Sequence, residues 1–179
     1  MFLHHVTHHG SFEAELCRAC AHATTAVSYR QGRRLERLDP ERPLSAAGRR
    51  EVEAVARLLA GAHARVAHVV HSGKLRAQQT AELLATALAP GTVPQVMRGL
   101  SPNDLVEPMV RRIADWTSDV MLVGHLPSMG KLVARLVAGD EGKPVAAFVP
   151  GTVVCLQQAE AGDWVITWMV RPELAPLPV

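Results

Sequence analysis

An arginine and a histidine in two distant parts of the chain have the side-chain types and the local sequence expected of a phosphate-binding site. Arg76 lies in residues 75–81, LRAQQTA, where a helix is predicted to begin. His125 lies in residues 123–127, VGHLP, at the end of the apolar run 120–123. A guanidinium and an imidazole on rigid elements can stabilise charge on phosphoryl oxygens without a metal. The two segments therefore predict phosphoryl chemistry.

The elements that would position these side chains follow from hydrophobic periodicity and turn residues. Helices are predicted over about 46–61 with Ser45 as N-cap, and over 75–88, 105–116 and 129–137. Strands are predicted at 66–70, 95–97, 120–123, 152–157 and 164–170. This alternation predicts an α/β three-layer sandwich with a mostly parallel central sheet, helices on both faces and a C-terminal hairpin. Sites in such sheets form beyond the carboxyl ends of the strands.

Composition narrows the class of protein. A chain of 179 residues with 48% hydrophobic content is long enough for one folded domain. Its formal net charge of +2 and aromatic content of 4% do not indicate a nucleic-acid partner or a membrane surface. The absence of a long apolar run and the three cysteines, which do not suggest a disulfide framework, favour a cytoplasmic location.

Four short motifs occur in one order along the chain. They are residues 42–48 (RPLSAAG), 71–80 (HSGKLRAQQT), 100–104 (LSPND) and 124–127 (GHLP). Together they resemble the histidine phosphatase superfamily, and most closely its phosphohistidine phosphatase branch of the SixA type. The resemblance implies the phosphoglycerate mutase-like α/β fold, no metal and no other cofactor. It also implies a nucleophilic histidine in an Arg-His-Gly motif at the end of the first strand.

The match to that Arg-His-Gly motif is His8-His9-Gly10, preceded by residues 4–7 in the position of the first strand. His9 then aligns with the nucleophile, and His8 stands where the family has arginine. Arginine is permanently charged and offers a planar fork of donors, so this departure weakens the expected grip on phosphate. Residues 17–34 resemble nothing in compact family members, and residues 11–38 as a whole give no clear element. We expect one domain over 1–179 with an irregular or inserted segment there.

The resemblance assigns roles to residues in each motif. The implied catalytic residues are His9, Arg76, His125 and Asp104, and the implied substrate-binding residues are His8, Gly10, Arg42 and Ser72. A neutral His9 nitrogen would attack phosphorus, and water would hydrolyse the resulting phosphohistidine enzyme. His125 would act while protonated, and Asp104 is the candidate for a general acid.

The function implied is a metal-independent phosphatase that acts on protein phosphohistidine or on a small phosphate ester. Its partner would be a phosphorylated protein, such as a histidine-containing phosphotransfer domain, or a small phosphorylated metabolite. An alternative is a catalytically impaired descendant that binds phosphate or a phosphoprotein, because His8 replaces the family arginine.

A further alternative is metal binding near the amino terminus. The potential ligands are His4, His5, His8, His9, Cys17, Cys20 and His22. Imidazole and thiolate groups bind zinc or copper well. A familiar zinc site would require a second matched pair of ligands downstream, which the sequence lacks, so this spacing supports metal binding only weakly.

Overall fold

The computed structural model describes the backbone of residues 24–28 and all atoms of residues 40–159 and 161–175. The strands are β1 (Thr24–Ser28), β2 (His68–His71), β3 (Gln95–Val96), β4 (Val120–Val123), β5 (Thr152–Gln158) and β6 (Trp164–Val170). The helices are α1 (Ala46–Gly61), α2 (Leu75–Leu88), α3 (Glu107–Ala114) and α4 (Ser128–Ala138), followed by a 3-10 turn at Pro172–Leu174. The predicted helices and the predicted C-terminal hairpin are confirmed, with boundaries that differ by a few residues.

The six described strands form one sheet in the order β3-β2-β4-β1-β5-β6. Strands β3, β2, β4 and β1 are parallel, β5 is antiparallel to β1, and β6 is antiparallel to β5. This arrangement confirms the predicted α/β sandwich with a mainly parallel centre.

Strand β1 lies at the centre of the sheet, within the segment 11–38 for which the sequence pattern gives no element. Its sequence, TTAVS, is short and has little apolar content, so local propensity alone indicates it poorly. Pairing with β4 on one side and β5 on the other fixes it as a strand. The sequence interpretation that left this stretch irregular is therefore corrected for residues 24–28.

Two hydrophobic layers pack on opposite faces of the sheet, because successive residues of a strand point to opposite sides. On one face, Met121 and Val123 of β4 pack with buried residues of α1 and α2, among them Val55, Leu59, Leu84 and Leu88. On the other face, Val120 and Leu122 pack with residues of α3 and α4, among them Met109, Ile113, Leu132 and Val133. Within the described ranges, no helix has the length and apolarity needed to cross a membrane.

The register of the parallel strands brings their carboxyl ends to one edge of the sheet. Val123 of β4 is paired with His71 of β2 on one side and with Val27 of β1 on the other. Three neighbouring strands therefore end at nearly the same level, β2 at His71, β4 at Val123 and β1 at Ser28, one residue beyond this register. Sites of open α/β sheets form at this edge.

Candidate phosphoryl-binding site

A serine and a histidine meet where β2 and β4 end. Ser72 Oγ and His125 Nε2 are joined by a hydrogen bond of 2.7 Å. The His125 side chain is completely buried, at 0% exposure, whereas Ser72 is only half-buried. No described residue is hydrogen-bonded to the other ring nitrogen, Nδ1. The imidazole is therefore held in one orientation, with one buried ring nitrogen that no described group satisfies.

The turn after β4 holds His125 from the backbone side. The carbonyl oxygen of His125 accepts hydrogen bonds from Ser128 Oγ at 3.0 Å and from the Met129 amide at 3.0 Å. Gly124 is closely packed, because a Cβ atom there would lie 2.9 Å from Met129 Cγ and 3.1 Å from the Leu100 carbonyl oxygen. A larger residue at position 124 would therefore displace the turn that carries the histidine.

Arg76 lies in the first turn of α2 and is almost completely buried, at 1% exposure. The helix packs closely at this level because its neighbours Ala77 and Ala81 are small and are both fully buried. A guanidinium remains charged at any ordinary pH, and burying a charge is costly unless opposite charge or hydrogen-bond acceptors surround it. The amino end of a helix also favours negative charge. The buried position of Arg76 at the amino end of α2 is therefore suited to binding an anion.

Arg42 is held beside the start of α2 by two hydrogen bonds that flank it. The Leu75 amide donates to the Pro40 carbonyl oxygen at 2.9 Å, and the Leu44 amide donates to Gln79 Oε1 at 2.7 Å. Arg42 itself is half-buried. The segment that carries Arg42 is therefore bonded to the first turns of α2, the helix that carries Arg76.

The electrostatic environment makes His125 neutral. Burial, followed by the positive charges of Arg76 and Lys74, lowers the pKa of His125 from 6.5 to about 3. The expectation that His125 acts while protonated stays a prediction, and it would require a bound anion to raise this pKa. The physical reason is that two neighbouring cations and the loss of solvent all disfavour a third positive charge.

Asp104 has a defined structural role in the turn before α3. Its Oδ2 atom accepts a hydrogen bond from the Ser101 amide at 2.8 Å, as aspartates in turns commonly do. The carboxylate also acts on Lys74, whose pKa it raises against the lowering effects of burial and Arg76. Asp104 therefore lies within electrostatic range of the site, and its role as a general acid stays a prediction.

Lys74 is a charged residue of the site that the sequence reasoning does not select. It precedes Arg76 by two positions and is the N-cap residue of α2. Its charge contributes to the lowered pKa of His125. The available signal is its position in the loop between a buried strand and a helix, because residues there commonly form sites in α/β folds.

His8, His9 and Gly10 lie outside the described residues, so their predicted roles stay predictions. The described central strand β1 nevertheless ends at Ser28, and in the sequence it is followed by residues 29–32, YRQG. His9 precedes this strand instead of following it. The placement of His9 at the end of the first strand, from which its nucleophilic role follows, thus differs from the described topology.

The proposed amino-terminal metal ligands also lie outside the described residues. Among the residues that are described, no group of three or more histidine, cysteine, aspartate or glutamate side chains is arranged to hold a metal ion. Cys155 is a buried thiol of β5, within the core of the sheet. The metal-binding alternative therefore depends only on the amino-terminal sequence.

A cavity of about 360 Å³ lies away from these residues. Its lining includes His68 and Val120, which begin β2 and β4, together with Trp116. Ser72 and His125 follow the opposite ends of the same two strands. This cavity is therefore separate from the phosphoryl-binding site, although it is well formed.

Comparison with protein families gives a match over just over half of the chain. Residues 16–107 match the family described as the histidine phosphatase superfamily (branch 1). The match includes β1, Arg42, Ser72 and Arg76, and begins after His9.

Three individual proteins are similar to this chain, and two of them are named as histidine phosphatases. An uncharacterised protein of Picosynechococcus is 32% identical over 108 residues, which are 58% of this chain and 65% of the relative, or just under two thirds of its length. The phosphohistidine phosphatase SixA of Escherichia coli is 29% identical over 138 residues, covering 75% of this chain and 84% of that protein. A solved structure of the protein histidine phosphatase SixA complexed with tungstate has a TM-score of 0.72 at 25% identity, with 84% of this chain and 97% of that chain covered.

Proposed function

Because the chain belongs to the histidine phosphatase superfamily (branch 1), we propose that Ser72, Arg76 and His125 bind the phosphoryl group of a phosphorylated substrate. The proposed substrate class is a protein phosphohistidine, such as that of a phosphotransfer domain, or a small phosphate ester. The observation that carries the proposal is a buried arginine beside a buried, neutral histidine held by a serine at 2.7 Å. Family membership and the SixA relative support phosphatase activity in general.

The described groups suit a phosphoryl group for three physical reasons. The Arg76 guanidinium can donate two parallel hydrogen bonds to phosphoryl oxygens, which gives both charge and orientation. His125, which has one ring nitrogen bonded to Ser72, can present the other to the ligand. Both are buried, so their interactions with an anion are weakened little by solvent. None of these contacts requires a metal.

The rest of the substrate would lie in a cleft next to the turn that carries His125. This cleft has a volume of about 350 Å³, and its lining includes Leu126, Pro127 and Phe148. Leu126 and Pro127 follow His125 directly in the sequence, so the cleft adjoins the turn that carries His125, although Ser72, Arg76 and His125 are not among its lining residues. An apolar cleft beside a charged site suits the non-phosphoryl portion of a protein or metabolite substrate.

For the chemical step, the first candidate is hydrolysis through a phosphohistidine intermediate on His9. The imidazole nitrogen of His9 would form a bond to phosphorus while the bond from phosphorus to the leaving group breaks, and the leaving group would keep or gain a proton. Water would then cleave the new phosphorus–nitrogen bond and release inorganic phosphate. Arg76 would stabilise the charge on the phosphoryl oxygens in both steps. The family and its SixA relative support this candidate.

The second candidate is that the protein binds the phosphoryl group but does not hydrolyse it through a phosphohistidine intermediate. The observation in its favour is that residues 30–32, Arg-Gln-Gly, follow the central strand β1 in the sequence. They have the spacing of the family's Arg-His-Gly motif with Gln31 in place of histidine. A carboxamide has no basic nitrogen to attack phosphorus. The topology favours this second candidate for the chemical step, and both candidates share the same binding site.

Two variants distinguish the candidates. We expect His9→Ala to leave phosphohydrolase activity unchanged and Gln31→His to raise it, because the added imidazole would supply the missing nucleophile. Gln31→Asn is the matched control, since it changes the same position without adding a nucleophile. Activity would be measured as phosphate release from a phosphohistidine peptide and from p-nitrophenyl phosphate. Quenching and mapping the labelled phosphoenzyme would locate any covalent phosphate.

The opposite result would support hydrolysis on His9. In that case His9→Ala would abolish phosphate release, labelled phosphate would be found on His9 in the unmodified chain, and Gln31→His would have no effect. Binding of inorganic phosphate by the unmodified protein, measured in parallel, separates loss of chemistry from loss of the site.

A further inference from the structure

Lys74 adds a second positive side chain at the start of α2, next to the buried Arg76. Its backbone is extended, with φ −73° and ψ 139°, as is usual for the residue that precedes a helix. Its amide donates to Ser72 Oγ at 3.5 Å, which is a long contact, so the Lys74 backbone adjoins the serine of the phosphoryl site. Unlike Arg76, Lys74 is only half-buried, so its side chain is at the boundary between site and solvent.

The charges around Lys74 link it to the site on one side and to Asp104 on the other. Burial and the Arg76 charge lower the pKa of Lys74, and the Asp104 carboxylate opposes this change. The Lys74 charge in turn lowers the pKa of His125. Among the described residues, no carboxylate lies within 4.0 Å of the Lys74 ammonium group, so within that part of the chain it is not held in a direct ion pair.

The Asp104 carboxylate is fixed in position by its own turn. Oδ2 accepts from the Ser101 amide at 2.8 Å, and the Asp104 amide donates to the Ser101 carbonyl oxygen at 3.2 Å. The negative charge of Asp104 therefore acts on Lys74 from a constant place. The segment that carries Asp104 also lies beside the turn of His125, because the Leu100 carbonyl oxygen is 3.1 Å from the position that a Cβ atom of Gly124 would take. Replacement by asparagine would keep an acceptor for the Ser101 amide and remove only the charge.

We propose that Lys74 and Asp104 are opposing charges at the rim of the phosphoryl site, where Lys74 strengthens anion binding and Asp104 weakens it. A phosphoryl group at Arg76 and His125 is attracted by the Lys74 ammonium and repelled by the Asp104 carboxylate, since both charges act through partly solvated space. Lys74 is thereby an affinity-determining residue, and Asp104 acts through charge instead of as a proton donor. This inference rests on the proposed function, because it requires a phosphoryl group in the site.

Calorimetric titration of the full chain with inorganic phosphate at low ionic strength tests the proposal. We expect Lys74→Gln to weaken binding by about two- to fivefold and Asp104→Asn to strengthen it by a similar factor. Lys143→Gln is the matched control, because it removes the same charge from an exposed lysine paired only loosely with Asp140 at 3.9 Å. Added salt should reduce both effects.

A second measurement separates an electrostatic role from a structural one. Lys74→Gln should raise the pKa of His125, measured by NMR of its ring protons, because one of the charges that depress this pKa is removed. The proposal is overturned if Lys74→Gln and Lys143→Gln bind phosphate equally, or if Asp104→Asn weakens binding. If instead the unmodified chain does not bind phosphate, it is the proposed function that fails.

Discussion

The hydroxyl of Ser72 lies 2.7 Å from the imidazole of His125 and joins the residues that follow two neighbouring parallel strands. This contact depends on the register of β2 and β4, in which His71 is paired with Val123. A slip of one residue would turn one of the two side chains to the other face of the sheet. The register of β2 and β4 therefore brings Ser72 and His125 within hydrogen-bonding distance of each other.

Removing the Ser72 hydroxyl should loosen His125. We expect Ser72→Ala to weaken binding of inorganic phosphate by about threefold to tenfold, because one hydrogen bond that orients the imidazole is lost. Titration calorimetry measures the effect. Ser72→Thr, which keeps a hydroxyl, is the control and should bind more tightly than Ser72→Ala. Equal affinities for unmodified protein and Ser72→Ala would show that the hydroxyl does not position the histidine.

The depressed pKa of His125 should make stability depend on pH. The pKa of His125 is about 3 in the folded protein, against an ordinary value of 6.5 that applies to the unfolded chain. At a pH between these two values, His125 therefore takes up a proton when the protein unfolds. The free energy of unfolding should therefore decrease as the pH falls below 6.5, by at most about 1.4 kcal/mol per pH unit from this group. Above 6.5 the group is neutral in both states and contributes no pH dependence.

Replacing His125 by glutamine should reduce this pH dependence. Urea unfolding in phosphate-free buffer at pH 7 and pH 5 would give the change in free energy for both proteins. We expect a smaller decrease for His125→Gln than for the unmodified chain, because the glutamine does not titrate. An identical decrease in both proteins would mean that His125 is not held neutral.

Close packing at Gly124 leads us to expect that a larger residue there would reduce both stability and phosphate binding. Gly124→Ala should destabilise the protein by about 1–3 kcal/mol, because the new Cβ atom would contact Met129 and the Leu100 carbonyl oxygen. It should also weaken phosphate binding by displacing His125. Gly130→Ala is the matched control, since a Cβ atom there would lie 3.6 Å from Leu126 Cδ2, an ordinary contact within helix α4.

Chemical denaturation of both glycine variants would test this account of the turn. Gly130→Ala should be neutral or slightly stabilising, as expected for alanine in a helix. If Gly124→Ala proved as stable as Gly130→Ala and bound phosphate normally, the tight turn before His125 would not be required.

The positions of Arg76, His125 and Ser72 at the carboxyl edge of the sheet could be predicted from the sequence, because each lies beside a strongly periodic helix or an apolar strand. Strand β1 could not, because TTAVS shows no strand pattern of its own and is stabilised by partners far away in the sequence. The alignment of His9 with the nucleophile takes residues 4–7 as the first strand, and it stays a prediction.

The electrostatics of the site were equally inaccessible from sequence. The neutral state of His125 depends on its burial and on the charges of Arg76 and Lys74, which only the folded arrangement brings near it. Lys74 carries no motif signal beyond its place before a helix. Charge interactions between distant segments are a property of the tertiary structure.

The most direct test of the phosphoryl-binding site is calorimetric titration of inorganic phosphate into the unmodified chain and into Arg76→Met. Methionine fills much of the buried volume without the charge, and circular dichroism would establish that the variant is folded. Gln78→Ala, at an exposed position of the same helix, is the control. We predict one-to-one binding by the unmodified chain and by Gln78→Ala, and a loss of about 100-fold or more in Arg76→Met. Absence of binding by the unmodified chain, or unchanged affinity in a folded Arg76→Met protein, would contradict the account.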